Sequence, residues 1–304
     1  MKLSLQKLLQ TLGKLRLPGY RRVRLGSVVS IFWGAVTHPS FTLRAGAMAF
    51  SFFFALFPGL IFTTTILSYL PFERIELLLQ QELGALLPPP VYQLIHDIVF
   101  EDIYSRRNIT LLSTSLLLAL YSSWQGMLTL LRAFYQEGLP QEKFWVLWLK
   151  AMGLLFFLVL ILISGVVFAL LRDTHLVKWV QSMTEARLGA LAEIFLSLAK
   201  GIVLFFIATT AIEVIYRAAL PRRSLPYWFS PGSVIATLLM GAAVELLSWY
   251  FLSVANFSRF YGSIAAVIAL MIFFYWVSIV LLIGFTINYS LYRSYYLSPQ
   301  TQSG

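Results

Sequence analysis

Ionisable groups able to do chemistry are scarce in this sequence, and one of them stands where charge is least welcome. Lys200 lies within "EIFLSLAKGIVLFFIATTAIEVIY" (193–216), a run long and apolar enough to cross a membrane. A lysine at the centre of a transmembrane helix costs ~2.5–3.5 kcal/mol on insertion scales, so an intramembrane charge asks for a partner or a function. The next apolar run, "GSVIATLLMGAAVELLSWY" (232–250), carries Glu245. Lys200 lies 17 residues before Arg217, and Glu245 lies 14 residues after Pro231. At 1.5 Å per residue these are about 25 and about 21 Å from the intervening turn, so antiparallel neighbours would hold both groups at one depth.

Ser233, Thr237, Gly241 and Glu245 recur every four residues. Such a stripe of small and polar groups lets helix backbones approach and keeps polar atoms off lipid. It predicts a Glu245 that points into the bundle, within reach of Lys200. Glu193 shares the Lys200 face but lies about 10 Å along the axis, too far for a direct bond. Glu213 is better matched to Arg217 at i,i+4. Gln125 in "YSSWQGM", Asn288 four residues after Gly284, and Thr63, Thr64 and Thr65 beyond Pro58 are further interior polar groups. They read as interhelical glue or as contacts along a pathway. The candidate substrate or ion pathway is therefore Lys200, Glu245, Glu193, Gln125 and Asn288, with Ser233, Thr237 and Gly241 as the packing stripe. An ion pair alone does not establish transport, because it can equally lock two helices in register.

Enzyme chemistry finds little footing. The three histidines, His38, His96 and His175, fall in separate flanks of the apolar runs. His96, Asp97, Glu101 and Asp102 form the one close acidic group, and their spacing matches no common metal motif; a solvated helix face accounts for them. No nucleophile, base and oxyanion set can be assembled. No P-loop is present, so no ATP-driven pump is encoded. The absence of cysteine excludes disulfides, cysteine-bound zinc and iron–sulfur clusters. The residues imply no catalytic role, no cofactor and no metal.

The elements that must position these groups follow from composition. Of 304 residues 59% are hydrophobic and only 12% charged, against about 25% charged in an ordinary soluble domain. Mean hydropathy is +0.79. Six apolar segments, near 44–70, 109–132, 144–171, 188–216, 231–255 and 262–292, are long enough to span a bilayer. The expected fold class is all-α: a polytopic membrane bundle of six transmembrane helices with short amphipathic interfacial helices. "SVVSIFWGAV" (27–36) is too short to cross and reads as interfacial, as does "LQKLLQTLGKL" (5–15) with leucines on one face. Residues 1–26 are basic and amphipathic, unlike a secretory signal. The division expected is a basic interfacial segment at 1–43, a six-helix domain at 44–292 and a short tail at 293–304. The loop 71–108 reads as two amphipathic helices around the triple proline 88–90, lying on the bundle or forming a lid. No convincing internal repeat relates 44–171 to 188–292.

Positive charge chooses the orientation. With the N-terminus inside, the inner side receives seven Lys/Arg from residues 1–26. Arg44, Arg132, Lys143, Lys150, Arg217, Arg222, Arg223 and Arg293 bring it to fifteen, against seven outside. The excess of basic residues faces the cytoplasm in such proteins, which predicts both termini there, in a bacterial inner membrane. The formal net charge of +10 is thus a topology signal with anionic lipid headgroups as its partner, and it does not call for nucleic acid.

With these segments in view, the chain resembles the YihY/BrkB family of bacterial inner-membrane proteins. The resemblance rests on "AGAMAFSFFFALFP" (45–58), "YRAALPRRSLPYWFSPG" (216–232) and "VELLSWYFLSVANFSRFYGSIAAVIALMIFFYW" (244–276), followed by Gly284 and Asn288. It implies a helical membrane protein whose members carry two descriptions, ribonuclease BN and a virulence factor linked to serum resistance. Transport of a lipid or small solute is suspected for some of them. Family members commonly place a carboxylate two residues after the last-span glycine; this chain has Thr286 there, so no role of that acid transfers. Two functions stay open: an ATP-independent transporter of a lipid or small solute, and a non-transporting scaffold or envelope-assembly factor. The transporter predicts that Lys200 and Glu245 border a polar opening; the scaffold predicts that they are sealed among side chains.

Overall fold

The computed structural model describes residues 16–17, 20–67, 109–135, 139, 142–171, 190–221, 229–253 and 263–296. The loop 71–108, the segment 5–15 and the tail beyond 296 lie outside them, as do His96 and His175. Seven helices occur among the described residues: α1 (Leu25–Val36), α2 (Ser40–Leu67), α3 (Ile109–Ala133), α4 (Phe144–Leu171), α5 (Ala190–Ala219), α6 (Pro231–Ser253) and α7 (Ser263–Tyr296). Six of them are 23 to 34 residues long. The helical membrane bundle expected from the apolar runs is therefore present.

Five helices are long and apolar enough to span a bilayer, over Ser40–Phe62, Phe144–Ile161, Gly201–Ala219, Pro231–Ser248 and Val267–Tyr295. The sixth long helix, α3, is less apolar because Ser and Thr crowd its first half. Those hydroxyls turn back on their own helix: Ser113 donates to the Ile109 carbonyl at 2.9 Å and Thr114 to that of Thr110 at 2.8 Å. This internal bonding satisfies polar atoms where water is absent. α2 runs through Pro58 without ending.

Two boundaries move by four residues, each at an arginine that the fold uses. α2 begins at Ser40, ahead of Arg44, because the arginine is used inside the fold. Its guanidinium donates to the carbonyls of Ala133 at 3.1 Å and Tyr135 at 3.0 Å, at the end of α3. The last carbonyls of a helix lack intrahelical partners and carry the negative end of its dipole, so a cation there satisfies both needs. α7 likewise passes Arg293, whose side chain lies back against the Tyr289 hydroxyl at 3.2 Å. Residues 16–24, read from sequence only as basic and amphipathic, contain an antiparallel strand pair, β1 (Arg16–Leu17) and β2 (Tyr20–Arg24). The Pro18-Gly19 pair between the strands is the sequence signal for it.

α7 is the axis of the bundle, packing against α1, α2, α5 and α6, while α2 pairs with α3 and α3 with α4. The core lies where these helices meet at one end. Phe134 stacks on Phe285, with centroids 4.4 Å apart, and Tyr216 meets both rings edge-on. Leu198, Ile202 and Leu238 point outward on α5 and α6. Exposed apolar side chains on this scale would be a liability in water and are the normal outer surface in lipid.

Candidate functional site

The last turns of α5, the start of α6 and the second half of α7 enclose the most polar spot of the core. Its local cause is the tetrapeptide Ser230-Pro231-Gly232-Ser233. Ser230 caps α6, its hydroxyl accepting from the Ser233 amide at 3.3 Å. Proline suits the first helical position, where no amide proton is needed, and serine is among the best caps. Gly232 then lets α7 come so close that a Cβ on it would stand 2.1 Å from the Gly284 carbonyl oxygen.

Glu213 is the charge at the centre of this joint, with its side chain 1% exposed. Arg217 donates from Nε to Oε1 at 2.6 Å, which bears out the i,i+4 match. On the other oxygen, Oε2 accepts the Ser230 amide at 3.1 Å and the Ser230 hydroxyl as well. The carboxylate is therefore neutralised from two directions, by a guanidinium and by the positive end of α6. Asn288 of α7 closes the circuit. Its amide donates to Ser230 Oγ at 2.7 Å, and its Oδ1 accepts the Gly232 amide at 2.9 Å. One turn deeper, Thr209 donates to Thr237 at 3.1 Å, and Tyr216 donates to the Leu281 carbonyl at 2.8 Å.

Chemically this arrangement ties three helices together. Both oxygens of Glu213 accept from donors of the joint itself, and the side chain is buried, so the group is committed to holding α5 and α6. What the joint sets is register: a carboxylate of α5, a cap of α6 and an amide of α7 agree only in one relative placement. The sequence singled out Asn288, Ser233 and Thr237, and the structure brings all three to the joint or its next turn. It missed the larger role of Glu213 and the part of Ser230. The signal was present as an i,i+4 Glu–Arg pair followed at short distance by a Ser-Pro-Gly-Ser cap.

The far half of the stripe turns out differently. Gly241 and Glu245 are exposed, whereas Ser233 and Thr237 are buried. A helix advances 100° per residue, so steps of four drift by about 40° each, and Glu245 ends about 120° round from Ser233. The expectation that Glu245 points into the bundle is corrected for that reason. The Thr209–Thr237 contact does place positions 200 and 245 at nearly the same height, nine residues from one threonine and eight from the other. By the same step, position 200 falls half a turn round α5 from Thr209. The side chains of Lys200 and Glu193 lie outside the described residues. Gln125 is half-buried on α3, and no hydrogen bond ties it to the joint. Thr65 bonds its own helix at the Ile61 carbonyl, 2.7 Å away; Thr63 and Thr64 side chains are outside the description. Thr286 is buried and donates to the Leu282 carbonyl at 2.7 Å. Among the described residues no three His, Asp or Glu side chains gather into a metal-binding group. The acidic group at 96–102 is not among them.

Comparison with known proteins agrees with the sequence motifs. A family model described as virulence factor BrkB matches residues 32–303. The ribonuclease-like protein YfkH of Bacillus subtilis (strain 168) is 29% identical over 257 residues, which cover 82% of this chain and 90% of YfkH. No solved structure matches the chain.

Proposed function

The chain belongs to the BrkB family of helical membrane proteins, and we propose that it is an ATP-independent transporter of a lipid or small solute. The observation that carries this reading is Glu245. It stands within the span Pro231–Ser248, exposed, with no hydrogen bond or ion pair among the described residues. A carboxylate left facing acyl chains would cost ~2.5–3.5 kcal/mol at the bilayer centre, so this position favours a watery opening or a cationic partner. Lys200 stands at matching height on the neighbouring helix but half a turn round α5 from the Thr209 contact, so in this reading water, and not a direct bond, joins it to Glu245. A sealed pair, the mark of a pure scaffold, is not what an exposed Glu245 suggests. In this reading the chain sits in the bacterial inner membrane with both ends in the cytoplasm, as its basic residues favour.

A scaffold or envelope-assembly role draws support from one feature, the fully bonded joint at Glu213. A ribonuclease role, suggested by the name of YfkH, would need clustered carboxylates with a metal or a poised His/Lys set. The one close acidic group in the sequence is His96, Asp97, Glu101 and Asp102, which lies outside the described residues and whose spacing matches no common metal motif. Reconstitution into vesicles separates the first two readings. Transport of labelled phospholipid or solute should appear with the protein and fall in Glu245→Gln and Lys200→Met, while the purified variants keep wild-type melting temperatures. Absence of any transport, or full transport in both variants, overturns the proposal.

A further inference from the structure

A second polar feature lies at the same end of the bundle and takes no part in the joint. A cavity of about 480 Å³ opens between α1, α2, α3 and α7, and its lining includes Arg44, Arg132, Arg293, His38, Tyr135 and Tyr289. Among the described residues no carboxylate lines it. Two other cations at this end do have carboxylate partners: Lys150 is bonded to Glu142, and Arg217 to Glu213. Arg132 makes no hydrogen bond or ion pair among the described residues, and Arg293 is recorded bonding only the neutral Tyr289 hydroxyl. Arg44 spends Nε and Nη1 on backbone carbonyls, which are neutral, so its charge too lacks an anion there. Glu137, the acid nearest Tyr135 in sequence, lies outside the described residues.

Three guanidinium groups brought to one cavity repel one another, and an apolar helix wall on one side strengthens that repulsion. A fold keeps such a cluster where an anion neutralises it. The guanidinium fork matches the geometry of phosphate oxygens, and tyrosine hydroxyls add neutral donors. Depth argues in the same direction. Arg132 ends α3, Arg293 lies in the last turn of α7, and Arg44 in the second turn of α2. All three therefore sit where spans meet the headgroup layer. The cavity volume is within the range of small-molecule sites, roughly 300–1,000 Å³. Basic pockets between spans on the cytoplasmic side are known to take anionic headgroups.

We propose that this cavity is a binding site for a phosphate-bearing anion, in the membrane the headgroup of an anionic phospholipid. The proposal is independent of transport and stands equally for a scaffold. The test uses the full-length protein in neutral detergent and short-chain phosphatidylglycerol, with phosphatidylcholine and inorganic phosphate as comparisons. Phosphatidylglycerol should bind more tightly than phosphatidylcholine. Arg132→Gln and Arg293→Gln, both at exposed positions, should each weaken it about tenfold, the size of one lost charge-assisted contact. Arg44 is left intact because it also holds α3. If inorganic phosphate competes at the concentrations where the lipid binds, the natural occupant is a soluble phosphate compound; if it does not, the occupant is lipid. Either result supports the site. Equal binding of the two lipids, or unchanged binding in the Arg132→Gln, Arg293→Gln double variant, overturns it. Melting temperatures without ligand identify any loss caused by unfolding, and in that case Arg132→Lys with Arg293→Lys decides: retained preference for the anion supports the site, and its loss in a folded protein overturns it.

Discussion

Adding one methyl group at Gly232 should unfasten the joint that holds α5, α6 and α7. The new Cβ would lie 2.1 Å from the Gly284 carbonyl oxygen and 2.5 Å from Asn288 Oδ1. The nearest of these atoms belongs to backbone, so no side-chain rotation relieves the clash. α6 and α7 would have to part by ~1 Å to reach tolerable contact, and overpacking of this kind costs about 1–3 kcal/mol. The same movement stretches the Gly232–Asn288 bond from 2.9 Å and the Asn288–Ser230 bond from 2.7 Å. Losing both would add about 1 kcal/mol each, for a total near ~3–5 kcal/mol. Gly241→Ala is the internal control, since nothing lies within 4 Å of its added Cβ. On the same helix it should be neutral or stabilise by up to ~1 kcal/mol through better helix propensity. The assay is thermal unfolding of purified protein in one fixed detergent, repeated in lipid nanodiscs. A Gly232→Ala protein melting level with Gly241→Ala would refute the packing described for these helices.

Glu213→Gln keeps the shape of the joint but sets an amide donor against the donors that the carboxylate accepted. It should lower stability by about 3 kcal/mol, read as a fall in unfolding midpoint. Arg44→Met should cost about 2 kcal/mol by releasing the end of α3, with hydrogen exchange rising at Leu131 to Tyr135 and remaining unchanged in α6. Lys150→Met loses its bond to the Ala218 carbonyl at 2.7 Å and its pairing with Glu142. Both side chains are about one-third exposed (29% and 33%), so the loss should stay near ~1 kcal/mol in thermal unfolding, and smaller still at high salt.

The helices were legible because length and apolarity decide them. The ends observed for α3, α4 and α6 lie within two residues of those expected, since nothing but hydropathy sets them. The starts and stops that moved, at Ser40 and Tyr296, belong to helices with an arginine that a hydropathy count treats as an end and the fold treats as a bolt. The joint was half legible. Asn288 and the serine–threonine stripe stand out in an apolar run, but their partners on other helices lie 28 to 58 residues away in sequence. Spacing alone did not say that Ser230 would face both Glu213 and Asn288. Glu245 shows the opposite failure: a four-residue repeat was read as one face over twelve residues, when helical twist carries it off that face. The cluster of Arg44, Arg132 and Arg293 was counted for topology, residue by residue, and its convergence is visible only once α1, α2, α3 and α7 are packed.

Placing a carboxylate at the buried end of three helices is a poor way to gain stability, since desolvation offsets most of what pairing returns. It is a good way to forbid alternatives. An apolar contact among α5, α6 and α7 could slide by a turn with little change in buried area. Glu213, Ser230, Gly232 and Asn288 cannot, because any slip leaves a charge, an amide and a helix cap without partners in a medium that supplies none. The polar contacts described between α5 and α6 all fall from Thr209 and Thr237 toward the turn that joins the two helices. Glu245 lies on the other side of that limit, about 12 Å further along α6. If the chain transports as proposed, a hairpin bolted at its turn would have its freer end where Glu245 stands. Under the transport reading proposed above, the bonds of the joint would make it the fixed point against which that end shifts.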